Sequence, residues 1–300
     1  MKSLDKNKVR VGVLSALSCE ILFGLSYLFT KSAGSQASAL ALLGWRFLVA
    51  FIFMLILLAL KVIKVNFRHK DMKHLLFVGL FSPVLYFIGE TFGINWTTAS
   101  ETGAFLASIP IATLVAANLI LQHVPTKNQV IGISTTVIGV LVSVFAVGFT
   151  ASFSFAGYLM LFLAVISYAL YAVYVEKAGH FSGTEITFFM IATGFTVFGL
   201  LAVSEAMMHQ QVPELLVLPF KNKTFGTAIL YQGIGCSVLA FFLSNKAIET
   251  IGVNKTASFI GVSTAVSIIS GILFLGETFS IVQFVGVILI MIGVYISNHS

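Results

Sequence analysis

Ten runs of roughly twenty apolar residues, separated by short polar connectors, follow one another along the chain. A run of about that length crosses a ~30 Å hydrocarbon core as an α-helix. These runs are too continuously apolar for barrel strands, whose signal is alternation. The pattern predicts spans at 11–30, 39–60, 74–95, 100–121, 128–149, 154–175, 185–204, 225–246, 254–274 and 280–297. Residues 1–10 carry Lys2, Lys6, Lys8 and Arg10, and the apolar run that follows reaches Lys31 without an A-x-A cleavage site, so the first span reads as a retained helix and not a signal peptide. The longest connector, Glu205 to Thr224, holds Pro213, Pro219 and several apolar residues, and predicts a short interfacial helix.

The last fifty residues repeat an earlier stretch. Shifted by 154 positions, Phe105 meets Phe259, Leu119 meets Leu273, Gln129 meets Gln283, Gly132 meets Gly286, Gly139 meets Gly293 and Ser143 meets Ser297. Each copy is an apolar run, a short polar turn and a second run with glycines seven residues apart. The register holds through two helices and the turn between them, as expected of an internal repeat.

Charge gives the repeat its sense. Of the 17 Lys and Arg residues, thirteen fall on one side if the N-terminus lies inside, three (Lys31, Lys221, Lys223) on the other, and Arg46 within a span. The positive-inside rule then predicts cytoplasmic N- and C-termini in an inner or plasma membrane. Five spans per copy is an odd number, so the second copy enters the membrane from the opposite side. The expected fold is therefore an all-α integral membrane protein with ten transmembrane helices as two inverted five-helix repeats, 1–150 and 151–300. Such a pair leaves a cavity near the midplane that opens to either side by rocking.

Composition agrees and excludes other classes. Hydrophobic residues make up 58% of the chain and charged ones 9%, against about 25% charged in soluble domains. The net charge of +6 sits in connectors, so topology accounts for it and no nucleic acid is implied. Cys19 and Cys236 fall inside apolar runs, as small buried hydrophobes do. There is no H-E-x-x-H, C-x-x-C, Walker loop or G-x-S-x-G. No metal, cofactor or enzymatic activity is expected, and without a nucleotide site the driving force is an ion gradient or the substrate's own.

In the first span, Phe23-Gly24-Leu25-Ser26-Tyr27 followed by Lys31 resembles the W-G-S-N-F run and trailing Lys of the EamA family, in the drug/metabolite transporter superfamily. Trp45-Arg46-Phe47 is similar to that family's L-R-F. The stretch from Ala99 through Pro110 to Gly139 resembles its first hairpin, and Gly276-Glu277 with Gln283, Gly286 and Gly293 its second. Two positions depart from the pattern: Gln122-His123 stands where Gly-Glu is usual, and Thr264 is the counterpart of Pro110. The resemblance implies a ten-helix fold of two five-helix repeats and efflux of a small organic compound.

Glu20 is the leading candidate for chemistry. It lies nine residues into the first span, roughly 14 Å deep at 1.5 Å per residue, where an ionised carboxylate is costly and usually faces a cavity or partner. Helical spacing puts Phe23, Gly24, Tyr27 and Lys31 on its face. That face could line a pocket for an amine or zwitterion, with Glu20 exchanging protons; the plainer reading is a neutral carboxyl bonded to a neighbouring helix. Arg46 and Glu90 lie at similar depth. They read either as a structural ion pair or as an Arg that holds a substrate carboxylate with Glu90 to release it. Glu101 and Glu249 read as interfacial.

Tyr168, Tyr171 and Tyr174 form a stripe in the sixth span that reads as packing or an interfacial belt, with Tyr168 deep enough to reach a central site. Tyr86 in the third span and Gln232 in the eighth are weaker candidates. Gly132, Gly139, Gly286 and Gly293 mark close packing, hairpin to hairpin or subunit to subunit, in a monomer or homodimer. The expected function is a secondary transporter exporting a small amphipathic metabolite such as an amino acid, with protons as coupling ion. The alternatives are a lipid-linked or sugar-nucleotide translocase, a membrane-embedded lipid-modifying enzyme, and a sensor or scaffold.

Overall fold

A computed structural model of the chain describes residues 6–33, 37–97, 99–146, 154–276 and 280–299. It contains ten helical spans long and apolar enough to cross a membrane: Lys6–Ser26, Ala39–Ala59, Lys73–Trp96, Glu101–Leu121, Lys127–Phe145, Phe155–Lys177, Gly183–Met208, Lys223–Ile251, Val253–Phe274 and Ile281–Asn298. Most match the predicted runs within a few residues. The seventh and eighth overrun them because polar residues continue the helix beyond the apolar stretch. Ser182 and Glu185 form a capping box before the seventh, and Lys246 pairs with Glu249 at 3.0 Å in the last turns of the eighth. The predicted connector helix is present as Val212–Lys221.

The two five-helix halves are inverted with respect to each other, and the packing follows that symmetry. The first span packs against the eighth and ninth, and its counterpart, the sixth, packs against the third and fourth; the second pairs with the seventh, and the fifth with the tenth. Exchanging the halves turns the contacts of the first span into those of the sixth and leaves the second–seventh and fifth–tenth pairs unchanged.

Local chemistry repeats at the same 154-residue interval. The fourth span ends on Gln122 (φ 58°) and the ninth on Gly276 (φ 67°), both left-handed C-caps. Four residues later, Thr126 and Ser280 begin the fifth and tenth spans with capping boxes closed by Gln129 and Gln283. Gln122 thus adopts the turn that Gly276 adopts, at the steric cost of a side chain in the left-handed region.

The predicted glycine faces meet within the one chain. An added Cβ on Gly139 would lie 2.7 Å from the carbonyl oxygen of Gly286, and one on Gly286 2.7 Å from that of Gly139. Gly132 abuts Gly293 and Ser297 in the same reciprocal way. Small residues let the two backbones touch, so these four glycines form the seam between the fifth and tenth spans.

Four spans are interrupted, again in matched pairs. The third is π-helical over Leu80–Leu85 and the eighth over Tyr231–Ala240. In the third the cause is Pro83, which cannot donate to the helix and holds Ser82 extended (φ −141°, ψ 123°). The fourth breaks between Leu106 and Ile109, and the ninth between Ala257 and Gly261. Hydroxyls serve carbonyls at the breaks: Ser108 donates to Phe105 at 2.6 Å, Ser258 to Lys255 at 2.7 Å and Ser263 to Ile260 at 2.7 Å. Pro110 sits in the first turn after its break, where a missing N–H is harmless. Thr264 has no such restriction, and the serines accompany that break without a proline. Irregular backbone at membrane depth is tolerated where it lines a cavity, and all four interruptions do.

Candidate substrate cavity

One cavity of about 1140 Å³ lies between the halves, lined by both. It begins at Ala37–Ala39, Asn95, Thr102 and Glu205, on the face that carries the connector helix, and reaches inward to Glu20, Tyr171 and Ser244. Among the described residues, none from the opposite face, which bears most of the Lys and Arg and is called the basic face below, lines its wall. The cavity is therefore open on one side only.

The sequence candidates distribute unequally around it. Glu20, Phe23, Arg46, Tyr86, Glu90, Tyr168 and Gln232 all line the wall. Gly24 does not. An added Cβ there would stand 2.6 Å from the carbonyl oxygen of Ser263, and Ser267 donates to the Gly24 carbonyl at 3.0 Å. Gly24 is thus the point where the first and ninth spans touch, not a gap in a pocket. The side chains of Tyr27 and Lys31, and the whole of Glu277, lie outside the described residues.

Glu20 is 6% exposed, sits midway along the first helix and has the Ser263 hydroxyl beside its carboxyl group. Among the described residues it forms no ion pair. Arg46 and Glu90 share the cavity but are not bonded to each other, so the expected structural ion pair is not formed. Each has another partner. Arg46 Nε donates to Ser237 Oγ at 2.7 Å, with its guanidinium carbon 4.7 Å from the Phe87 ring centroid and 6.0 Å from that of Phe241. Glu90 accepts from the Tyr86 hydroxyl at 2.9 Å, one turn back on its own helix. The Ser237 contact depends on Gly233, one turn earlier, where an added Cβ would stand 3.0 Å from the Arg46 carbonyl oxygen; the second and eighth spans touch there.

Three tyrosines of one stripe do three things. Tyr168 lines the cavity and packs edge-on against Tyr86 at 5.7 Å. Tyr171 donates to Asn245 Oδ1 at 2.7 Å, and Asn245 Nδ2 donates to Thr187 Oγ1 at 3.0 Å, tying the sixth, eighth and seventh spans across the cavity floor. Tyr174 stacks on Phe77 at 4.8 Å and Phe81 at 5.7 Å, plugging the space below.

Toward the basic face the closure becomes ionic. Glu176 accepts the Val253 N–H at 2.7 Å and lies 3.3 Å from His123 Nδ1; Glu185 lies 2.7 Å from Lys70 Nζ and accepts the Asn66 N–H at 3.1 Å. Both clusters join connectors of the first half to helices of the second. On the open face Ser38 donates to Glu205 at the cavity mouth. Glu101 is buried and accepts from Tyr158, joining the fourth and sixth spans, where the sequence suggests an interfacial residue.

Sequence reasoning missed Asn245, Ser237, Glu176, Glu185 and Glu205. Asn245 had a usable signal, a second amide near the end of the eighth apolar run. Ser237 had one too, four residues after Gly233 in a small-x-x-x-small spacing. Among the described residues no group of three or more His, Cys, Asp or Glu could hold a metal ion.

The chain matches known proteins along nearly its whole length. The model of the EamA-like transporter family matches residues 10–145 and again 155–299. The uncharacterized transporter YcxC of Bacillus subtilis is 33% identical over 295 residues, covering 98% of this chain and 94% of that one. YetK, another uncharacterized transporter of the same organism, is 26% identical over 262 residues, covering 85% of this chain and 76% of its own length. A chain of known crystal structure superposes with a TM-score of 0.78 at 17% identity, covering 96% of both, which shows a shared fold. The chain belongs to the EamA-like transporter family.

Proposed function

We propose that this protein is a secondary transporter that exports a small amphipathic metabolite, an amino acid or related compound, by alternating access, with Glu20 carrying a coupled proton. The observation behind this reading is the one-sided cavity between inverted halves. Its volume suits a small organic molecule, and its wall mixes aromatic rings with three carboxyl groups, one of them that of Glu205 at the mouth, and one guanidinium. The charge asymmetry of the connectors supports a cytoplasmic basic face. On that orientation the cavity opens outward and the Glu176 and Glu185 clusters close the cytoplasmic side.

Three carboxyl groups against one guanidinium form a poor lining for a pyrophosphate, which weighs against a sugar-nucleotide substrate. The test is untargeted metabolite profiling of medium and cytosol from cells overexpressing and cells lacking the protein. A compound that rises outside on overexpression and accumulates inside on deletion is the expected result. No soluble compound changing in either strain would overturn export of a metabolite and direct attention to lipid extracts.

A further inference from the structure

We infer that Arg46 is the anchor for a carboxylate group of the substrate; the inference rests on the reading of the cavity as a substrate site. Arg46 is 8% exposed and lines the cavity wall. A guanidinium has five N–H donors, and among the described residues only Nε–H is used, on Ser237. The two terminal amino groups have no acceptor among the described residues, and they are not among the sealed polar atoms that lack a partner. They are therefore the part of the group that meets the cavity.

An arginine at membrane depth is normally paired, and three carboxyl groups, Glu20, Glu90 and Glu205 at the mouth, line this cavity. None of them is used. Glu90 is held by Tyr86, and the Tyr86 hydroxyl stands within electrostatic reach of Glu20, Arg46 and Glu90 alike. Ser237 and the Phe87 ring fix the plane of the guanidinium while leaving its outer edge open. That edge presents two parallel N–H groups, which match a carboxylate bidentately.

A carboxylate is favoured over a phosphate by the surrounding charge. A dianion would face Glu20 and Glu90 with one cation to neutralise it, whereas a single negative charge is matched by Arg46 alone. The apolar body of such a compound would lie against Phe23, Phe87 and Phe241, which pack around the same point. An ammonium group, where the compound has one, would find Glu20 or Glu90 across the cavity.

The experiment uses the full chain in nanodiscs and phenylglyoxal, which modifies accessible guanidinium groups, with modification of Arg46 followed by mass spectrometry. Benzoate and phenylalanine are the protecting probes, with benzamide and phenylalaninamide as uncharged-carboxyl controls. The expected result is that Arg46 is modified and that either carboxylate slows this, about tenfold at ten times its Kd, while neither amide does. An unreactive Arg46, equal protection by amides, or no protection by either carboxylate overturns the inference. None of these outcomes depends on flux, so a carboxylate anchor can fail while export stands, and metabolite profiling reports the reverse case.

Discussion

The Glu176 carboxylate accepts the backbone N–H of Val253 at 2.7 Å, and its other oxygen lies 3.3 Å from His123. One side chain at the end of the sixth span thus holds the turn into the ninth and the turn out of the fourth. Val253 is 1% exposed, so its N–H has no water to fall back on. Gly252 makes the turn possible, with φ at 80°.

Removing that carboxylate should loosen the closed face. Leaving a buried donor without an acceptor costs about 1–3 kcal/mol. Ala178, fully buried beside the clasp, provides a reporter: in a background lacking Cys19 and Cys236, Ala178→Cys should react with a membrane-impermeant maleimide from the basic face roughly tenfold faster when Glu176→Ala is added, the equivalent of about 1.4 kcal/mol. An unchanged rate would reduce the clasp to decoration.

The inversion has a direct test at residues related by the repeat. Lys127 and Ile281 are 154 positions apart, both exposed and both in the first turn of their helices. Single cysteines there should label from opposite sides of the membrane. Labelling from one side would be incompatible with two inverted halves.

The seam predicts where added volume is not tolerated. Gly139→Val places its Cβ against the Gly286 carbonyl oxygen and the Ile290 nitrogen, both at 2.7 Å. Because those are backbone atoms, the helices must separate, at a cost of about 1–3 kcal/mol or more. The melting temperature should fall clearly. Gly199→Ala is the control: its Cβ would meet only the Phe195 ring at 3.8 Å, and its melting temperature should stay at or above that of the wild type.

In the proposed transport cycle the coupled proton is carried by Glu20, whose carboxyl group has a serine beside it and, among the described residues, no cation paired to it. Glu20→Gln keeps the shape and removes the titration. In proteoliposomes it should abolish transport driven by a pH gradient while substrate exchange without a gradient continues. Retained pH-driven uphill transport would assign Glu20 a structural hydrogen bond only.

Much of this architecture was legible because it is written in local chemistry that repeats. Thr126 with Gln129 and Ser280 with Gln283 are capping boxes in the letters themselves, and Gly139 and Gly286 mark close approach wherever the partner lies. The site was legible in its members and not in its pairings. Arg46 and Glu90 could be assigned a depth from the rise per residue, but their partners follow from rotation about the helix axis. The π-helical stretches at 80–85 and 231–240 alter that rotation, so a 3.6-residue period does not carry through them. The closure on the basic face was out of reach for another reason. Lys70, His123 and Glu176 lie in or beside connectors, where periodicity carries no signal, and their meeting is a consequence of how the halves dock.

For substrate to cross by alternating access, the two halves must part on the basic face. Cysteines at His123 and Glu176, joined by a bifunctional methanethiosulfonate in the background lacking Cys19 and Cys236, hold that face shut. With the compound named by metabolite profiling, flux through the cross-linked protein should stop and return on reduction. Flux that continues through the locked protein would contradict alternating access between these halves.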